Sequence, residues 1–174
     1  MPALCTAISL SECVFSFYLT GTSTSSYIDF GTPDSSIAKV DNDKTWISIA
    51  ENNYWSSTIK GFRWGPEWSE STPVIDDTEY KITEQTAIVD TGSSCIVGPK
   101  ESINSILATI LNTADSVVTD STWGYIFDCA DKKLMPSFEL LFGGSWFRVN
   151  PEDYVNVVDD NGKLCSVCIG TDKT

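Results

Sequence analysis

Residues 86–99 read TAIVDTGSSCIVGP. Three apolar residues, Ala87, Ile88 and Val89, lead into Asp90, a pattern that predicts a carboxylate at the tip of a buried strand. Asp90-Thr91-Gly92-Ser93-Ser94 then has the composition of a turn. A second apolar run over 95–97 is stopped by Gly98-Pro99. Beyond the proline, Ile103, Ile106, Leu107, Ile110 and Leu111 fall at i, i+3, i+4, i+7 and i+8. That spacing predicts one helix with a single apolar face, closed near Asn112. A lone D-T-G would arise by chance in roughly a few per cent of chains this long. The strand before it and the helix after it are what give it weight.

Working outward, the rest of the chain is dominated by short β-type runs broken by turn residues. Residues 14–19, 27–30, 45–50 and 54–64 read as strands before the motif. Residues 123–129, 137–142, 145–149, 154–158 and 163–169 read as strands after it. Gly143-Gly144 predicts a tight hairpin, and Asp159-Asp160-Asn161-Gly162 a second. Residues 151–154 predict one helical turn. Residues 65–83, polar and carrying Pro66 and Pro73, read as a surface loop. The total of about nine to eleven strands and one or two short helices predicts a mainly β fold.

Composition narrows the chemistry. Asp and Glu outnumber Lys and Arg 24 to 11, a net charge of −13. A phosphate backbone would be repelled, so nucleic acid is excluded as a partner. The charge is spread along the chain, which serves solubility and also suits work at low pH. Lys100, Glu101, Asp76-Asp77 and Asp159-Asp160 read as solvated turns. No apolar run approaches the roughly 18–20 residues of a membrane span. The start carries no basic region, so it does not read as a signal peptide. There is no N-x-[ST] acceptor for an N-glycan. Histidine is absent, so this chain alone supplies no Ser–His–Asp or Cys–His machinery and lacks the usual zinc ligand. Of the six cysteines, only Cys165 and Cys168 form a C-x-x-C pair, and no second pair stands at zinc spacing. Structural disulfides in a secretory compartment are the expectation. The six Trp residues are expected to pack sheets, with Trp123 or Trp146 as candidates to border a cleft.

An aspartate such as Asp90 performs acid–base chemistry when a second carboxylate lies within about 3 Å, because two like charges so close share one proton. The pair titrates as a unit. One member activates a water as general base, and the other polarises the scissile carbonyl. Neither metal nor histidine is needed. Gly92 allows close approach of substrate backbone.

The run Ala87-Ile88-Val89-Asp90-Thr91-Gly92-Ser93-Ser94, followed by Val97-Gly98-Pro99, resembles the C-terminal lobe of the pepsin-like aspartic endopeptidases. The family pattern there is A-I-x-D-T-G-[TS]-S-x-x-x-G-P and then a helix. Residues 14–19 resemble the strand entering that lobe, and residues 30–34 its F-G-G-x-D segment. Tyr54-Trp55 resembles the pair that opens the strand about 35 residues before the aspartate. Residues 134–138 and 151–154 resemble the L-P-x-[IF] and P-x-x-Y segments. The resemblance implies a mainly β lobe over 14–170, a lead-in or unstructured segment over 1–13, and a tail at 171–174. It implies Asp90 as the catalytic carboxylate and Thr91 as the residue that braces the active-site loops. It implies substrate-binding roles for Thr91, Gly92, Ser93 and Ser94. It implies a disulfide between Cys129 and Cys165, closing a loop of about 37 residues worth roughly 3–4 kcal/mol. No cofactor or metal is implied. The substrate would be a protein or peptide, hydrolysed at acidic pH in a lysosome-like, vacuole-like or extracellular setting.

Departures from the family pattern carry expectations of their own. The amino-terminal lobe, with the first aspartate and a flap tyrosine, lies outside these residues, as does an apolar-apolar-Gly strand expected after Gly170. The chain is therefore expected to be one piece of a longer protein, inactive alone. The second carboxylate would come from that lobe, or from a second copy of this chain in a homodimer. The alternative is a non-catalytic pepsin-fold module that binds or inhibits. Cys95 stands where the family has an apolar residue such as Leu, and is expected to pack as a small hydrophobe. Cys168 is a competitor of Cys165 for Cys129, and a Cys5–Cys13 pair is left open.

Overall fold

The computed structural model describes residues 2–20, 25–32, 45–51, 54–65 and 80–172. Most of the loop expected over 65–83, with Asp76 and Asp77, lies outside the described residues, as do Pro33 and Asp34. The chain divides into two compact units, Met1–Trp46 and Ile47–Thr174, where the sequence suggested one domain over 14–170.

In the first unit, residues assigned no element from sequence form the short helix α1 (Pro2–Ala7). The Cys5–Cys13 disulfide closes the segment behind it. Strands β1 (Phe15–Tyr18) and β2 (Tyr27–Phe30) pair antiparallel, Phe15 opposite Phe30 and Tyr18 opposite Tyr27. The two tyrosine rings lie 5.2 Å apart across the ribbon, the kind of cross-strand pair that stabilises a hairpin.

The second unit carries the remaining elements. β3 (Ser56–Trp64) is central in a four-stranded sheet ordered β4-β3-β8-β9, with β4 (Tyr80–Ile88), β8 (Phe138–Phe142) and β9 (Ser145–Val149). β5 (Ile96–Gly98) runs into helix α2 (Lys100–Leu111), which ends at Asn112. A second four-stranded sheet combines β6 (Val118–Asp120), β7 (Gly124–Asp128), β10 (Val155–Val157) and β11 (Leu164–Val167), in the order β10-β11-β7-β6. A 3-10 turn, Cys129–Leu134, follows β7, and the one-turn helix α3 (Pro151–Tyr154) precedes β10. β12 (Ile169–Thr171) pairs parallel with β5.

Turn chemistry accounts for the hairpins. Gly143 and Gly144 both have positive φ, 53° and 93°, as a two-residue turn between right-twisted strands requires. The Asp159 carboxylate accepts the backbone N–H groups of Lys163 and Leu164, each at 2.8 Å. Asp120 does the same for Thr122 and Trp123. These bonds hold both carboxyls below the usual carboxylate range, that to Leu164 leading for Asp159 and that to Trp123 for Asp120.

Three expectations differ from what folds. Residues 45–50 form no strand: Trp46 is exposed, and among the described residues the segment has no partner strand and one backbone bond, from the Ala50 N–H to the Ser56 carbonyl. Residues 80–83, read as loop, begin β4, because β3 supplies them a partner register, Phe62 opposite Tyr80. The run 163–169 is two strands, broken at Cys168, whose N–H turns to the Tyr154 carbonyl at 2.7 Å.

The core lies where α2 meets the aromatic residues of both sheets. Ile103, Leu107 and Ile110, three of the five residues on the helix's expected apolar face, are buried with Phe62, Trp64, Phe127, Phe138 and Tyr154. Phe62 stacks on Phe138 at 5.5 Å, and Phe138 lies 5.6 Å from Tyr154. Each such side chain contributes about 1.5–3 kcal/mol by leaving water. Arg63, Glu139 and Arg148 stand opposite one another on β3, β8 and β9. The buried Glu139 carboxylate accepts from both guanidinium groups, and Arg63 also covers the Trp146 ring at 4.3 Å. Tyr154, fully buried, donates its hydroxyl to the Pro136 carbonyl at 2.7 Å. Burial, with Glu152 adding its charge, pushes that hydroxyl well above the ordinary phenol value.

Tyr154→Phe leaves the Pro136 carbonyl unpaired and is expected to cost about 1–3 kcal/mol in denaturant unfolding; Tyr154→Ala is expected to cost about 3–5 kcal/mol. The folded chain holds this phenol proton more tightly than the unfolded chain does. Its contribution is therefore complete below about pH 10 and is lost as pH rises above that towards the folded value. Stability measured against pH in this range should fall more steeply for the wild type than for Tyr154→Phe.

Candidate active site

β4 delivers Asp90. The β3–β4 ladder runs from Phe62/Tyr80 to Ser56/Ile88. One further bond, from the Val89 N–H to the Trp55 carbonyl at 2.8 Å, carries the pairing to the residue before the aspartate. The end of the strand is not buried, contrary to the reading of its apolar run. Among the described residues β4 is an edge strand with β3 as its one neighbour, and Ile88 and Val89 remain 55% and 62% exposed. Apolar residues in a row mark a strand covered on both faces only when the topology supplies both covers.

Past Val89 the chain turns on itself. The Asp90 carboxylate Oδ1 accepts the Gly92 N–H at 2.9 Å, its backbone carbonyl accepts the Ser93 N–H at 3.1 Å, and the Ser93 hydroxyl donates to the Cys95 carbonyl at 3.0 Å. This is an Asx-type turn, which occupies one oxygen of the carboxylate and fixes its direction. A Cβ at position 92 would stand 3.2 Å from that oxygen, so glycine keeps the carboxylate uncrowded. Asp90 and Thr91–Ser94 are all exposed.

Asp90, Ser93 and Ser94 line a cavity of about 710 Å³, whose other walls include Phe62, Ile103 and Phe138. Thr91 and Gly92, expected alongside them, are not part of its lining. Among the described residues Thr91 makes no side-chain hydrogen bond. The other carboxylate on the cavity wall, Asp153, accepts the Asn150 N–H at the start of α3. Neither Trp123 nor Trp146 lines the cavity. The Ser166 hydroxyl donates to the Trp123 carbonyl, and the Trp146 ring lies beneath Arg63.

The cysteines complete the neighbourhood. Cys129 and Cys165 are bonded, joining the 3-10 turn to β11. Cys95 is not a packed hydrophobe, and Cys168 does not compete for Cys129: these two are bonded to each other across 73 residues. The reason is the parallel β5–β12 register, Ile96 opposite Ile169, which brings the residues preceding both strands side by side. The Trp55 carbonyl and this crosslink are the elements near Asp90 that the sequence did not reveal. The C-x-x-C spacing of Cys165 and Cys168 was the signal that these cysteines belong to one neighbourhood, but it does not give their partners.

The family model for eukaryotic aspartyl proteases matches residues 1–174. The chain belongs to the eukaryotic aspartyl protease family. Among its relatives, the vacuolar aspartic protease of Candida albicans is 29% identical over 123 residues, 71% of this chain and 25% of that protein. The probable vacuolar protease A of Trichophyton verrucosum is 28% identical over 166 residues, 94% of this chain and 36% of that protein. Pepsin A of Bos taurus is 27% identical over 158 residues, 90% of this chain and 37% of that protein. The chain thus spans between a quarter and somewhat over a third of the length of these three relatives.

Asp90→Ala removes one exposed, local hydrogen bond, so it is expected to change global stability by no more than about 0.5–1 kcal/mol. Denaturant unfolding of the variant against the wild type measures this, and a larger loss would show that the aspartate serves the fold.

Proposed function

We propose that this chain is the C-terminal, Asp-bearing lobe of an aspartic endopeptidase, and that Asp90 is one half of its catalytic dyad. The observation that carries the reading is the Asx turn at the end of β4. It ties Oδ1 to the Gly92 N–H and exposes the carboxylate beside a cavity. A carboxylate so held is oriented but unpaired, and the other acid on the cavity wall, Asp153, is engaged at the start of α3. The second carboxylate comes from a companion lobe on the same longer polypeptide, or from a second copy of this chain. With the two within about 3 Å, one proton is shared, one group deprotonates the attacking water, and the other protonates the carbonyl oxygen of the peptide. Gly92 and Ser93 border the substrate main chain beside the scissile bond, and Thr91 braces the two loops across the lobe interface. The relatives named as vacuolar proteases, together with the pairing of all six cysteines, support a compartment of the secretory or vacuolar route.

The test is hydrolysis of a denatured protein by the two-lobed enzyme at about pH 3–5, with and without a statine-type transition-state mimic. Asp90→Asn is expected to lower the rate by about 10²–10⁴-fold, and the mimic to abolish it. Cleavage that survives both treatments would eliminate the aspartic mechanism. The 174-residue chain alone is expected to show no cleavage unless it dimerises; activity proportional to monomer concentration would sink the need for a second carboxylate.

A further inference from the structure

The bonds that shape the Asp90 turn are all local. Gly92 to Asp90, Ser93 to Asp90 and Ser93 to Cys95 span no more than three residues. Such a turn has a shape but no fixed place on the molecule. Its attachments are found at its two ends. Upstream, the Val89 N–H bonds to the Trp55 carbonyl. Downstream, the Ile96 N–H bonds to the Cys168 carbonyl at 3.0 Å, and the Cys95–Cys168 disulfide lies beside that bond. The Cys168 sulfur also lies 3.1 Å from the Ser94 carbonyl oxygen.

We infer that the Cys95–Cys168 disulfide is a positioning crosslink for the Asp90 turn: it anchors the downstream end of residues 90–95 to the buried start of β12. The asymmetry of the two cysteines suits the role. Cys168 is 8% exposed and abuts the core residues Val167 and Ile169, whereas Cys95 is exposed with the turn it terminates. One end is therefore fixed in the core and the other moves with the turn. β5 and β12 share a register of three residue pairs, a short ladder to hold a turn in place without a covalent bond. The crosslink is also the point at which an external dithiol would release the turn. One thiolate of the dithiol attacks a cystine sulfur, and its second thiol displaces the mixed disulfide. Cys95 and Cys168 leave as two thiols, and the dithiol is oxidised to its own disulfide.

The functional weight of this inference rests on Asp90 carrying the chemistry, but its test does not. Amide exchange is followed residue by residue by NMR in the 174-residue chain, wild type against Cys95→Ala/Cys168→Ala, with Cys5→Ala/Cys13→Ala as control. The reporters are the N–H groups of Val89, Gly92, Ser93 and Ile96, compared with α2 and the β8–β9 hairpin. The expected result is exchange at Gly92, Ser93 and Ile96 faster by about tenfold or more, with less than about twofold change in α2 and β8–β9. The control should leave all of these unchanged. Unchanged exchange in the turn overturns the inference, and so does a uniform acceleration across the unit, which would make the bond a general staple. Should the double variant fail to fold, the same reporters are read in Cys95→Val/Cys168→Val, which fills both positions with apolar side chains and leaves the other two disulfides intact. Failure of that variant to fold would equally overturn the inference. Cleavage by Asp90→Asn enzyme would remove the catalytic reading and leave the exchange result standing.

Discussion

The place of Asp90 is set by backbone pairing on β3. That strand is bonded on one side to β4 and on the other to β8, so its own position is doubly fixed. The Val89–Trp55 bond is the last rung of the β4 ladder before the aspartate. A strand's side chains alternate with a period of two, and a slip of one residue would send Asp90 to the opposite face. The register shift between Ile59 and Gly61 lies in this same strand. At Gly61 the Trp146 ring comes so close that an added Cβ would meet it at 2.9 Å. The sheet that aims the carboxylate is therefore held by packing as well as by hydrogen bonds.

From that sheet the support passes inwards. α2 begins directly after Gly98-Pro99 and buries Ile103, Leu107 and Ile110 against Phe62, Phe138 and Tyr154. Residues of this core also wall the cavity that Asp90, Ser93 and Ser94 line. The turn thus adjoins the buried core of the unit while its own residues stay exposed. A rigid scaffold carrying a small exposed loop is the usual arrangement where backbone positions must be accurate yet accessible.

What the sequence disclosed was mostly local. The α2 periodicity, the Gly143-Gly144 hairpin and the 159–162 turn depend on residues within a few positions of one another, and each element formed where its pattern placed it. The D-T-G-S-S run and its Gly-Pro continuation disclosed the family in the same way. What stayed hidden depends on partners distant in the chain. Ile88 and Val89 read as buried because their apolarity says nothing about which edge of a sheet they occupy. Residues 45–50 alternate like a strand, but alternation does not supply a neighbour to pair with. Val118–Asp120 is too short to carry a periodic signal and forms because β7 lies beside it. The bond between Cys95 and Cys168 follows from a parallel ladder joining segments more than seventy residues apart, which no spacing rule anticipates.

With all six cysteine sulfurs committed in pairs, the folded molecule contains no free thiol able to start a rearrangement of its own bridges. Exchange begins with a thiolate, and here it has to arrive from outside. In acid, where thiols keep their protons, such visitors would be scarce. A chain that left its biosynthetic compartment with the three pairs closed would carry that connectivity unchanged, right or wrong, for the rest of its working life.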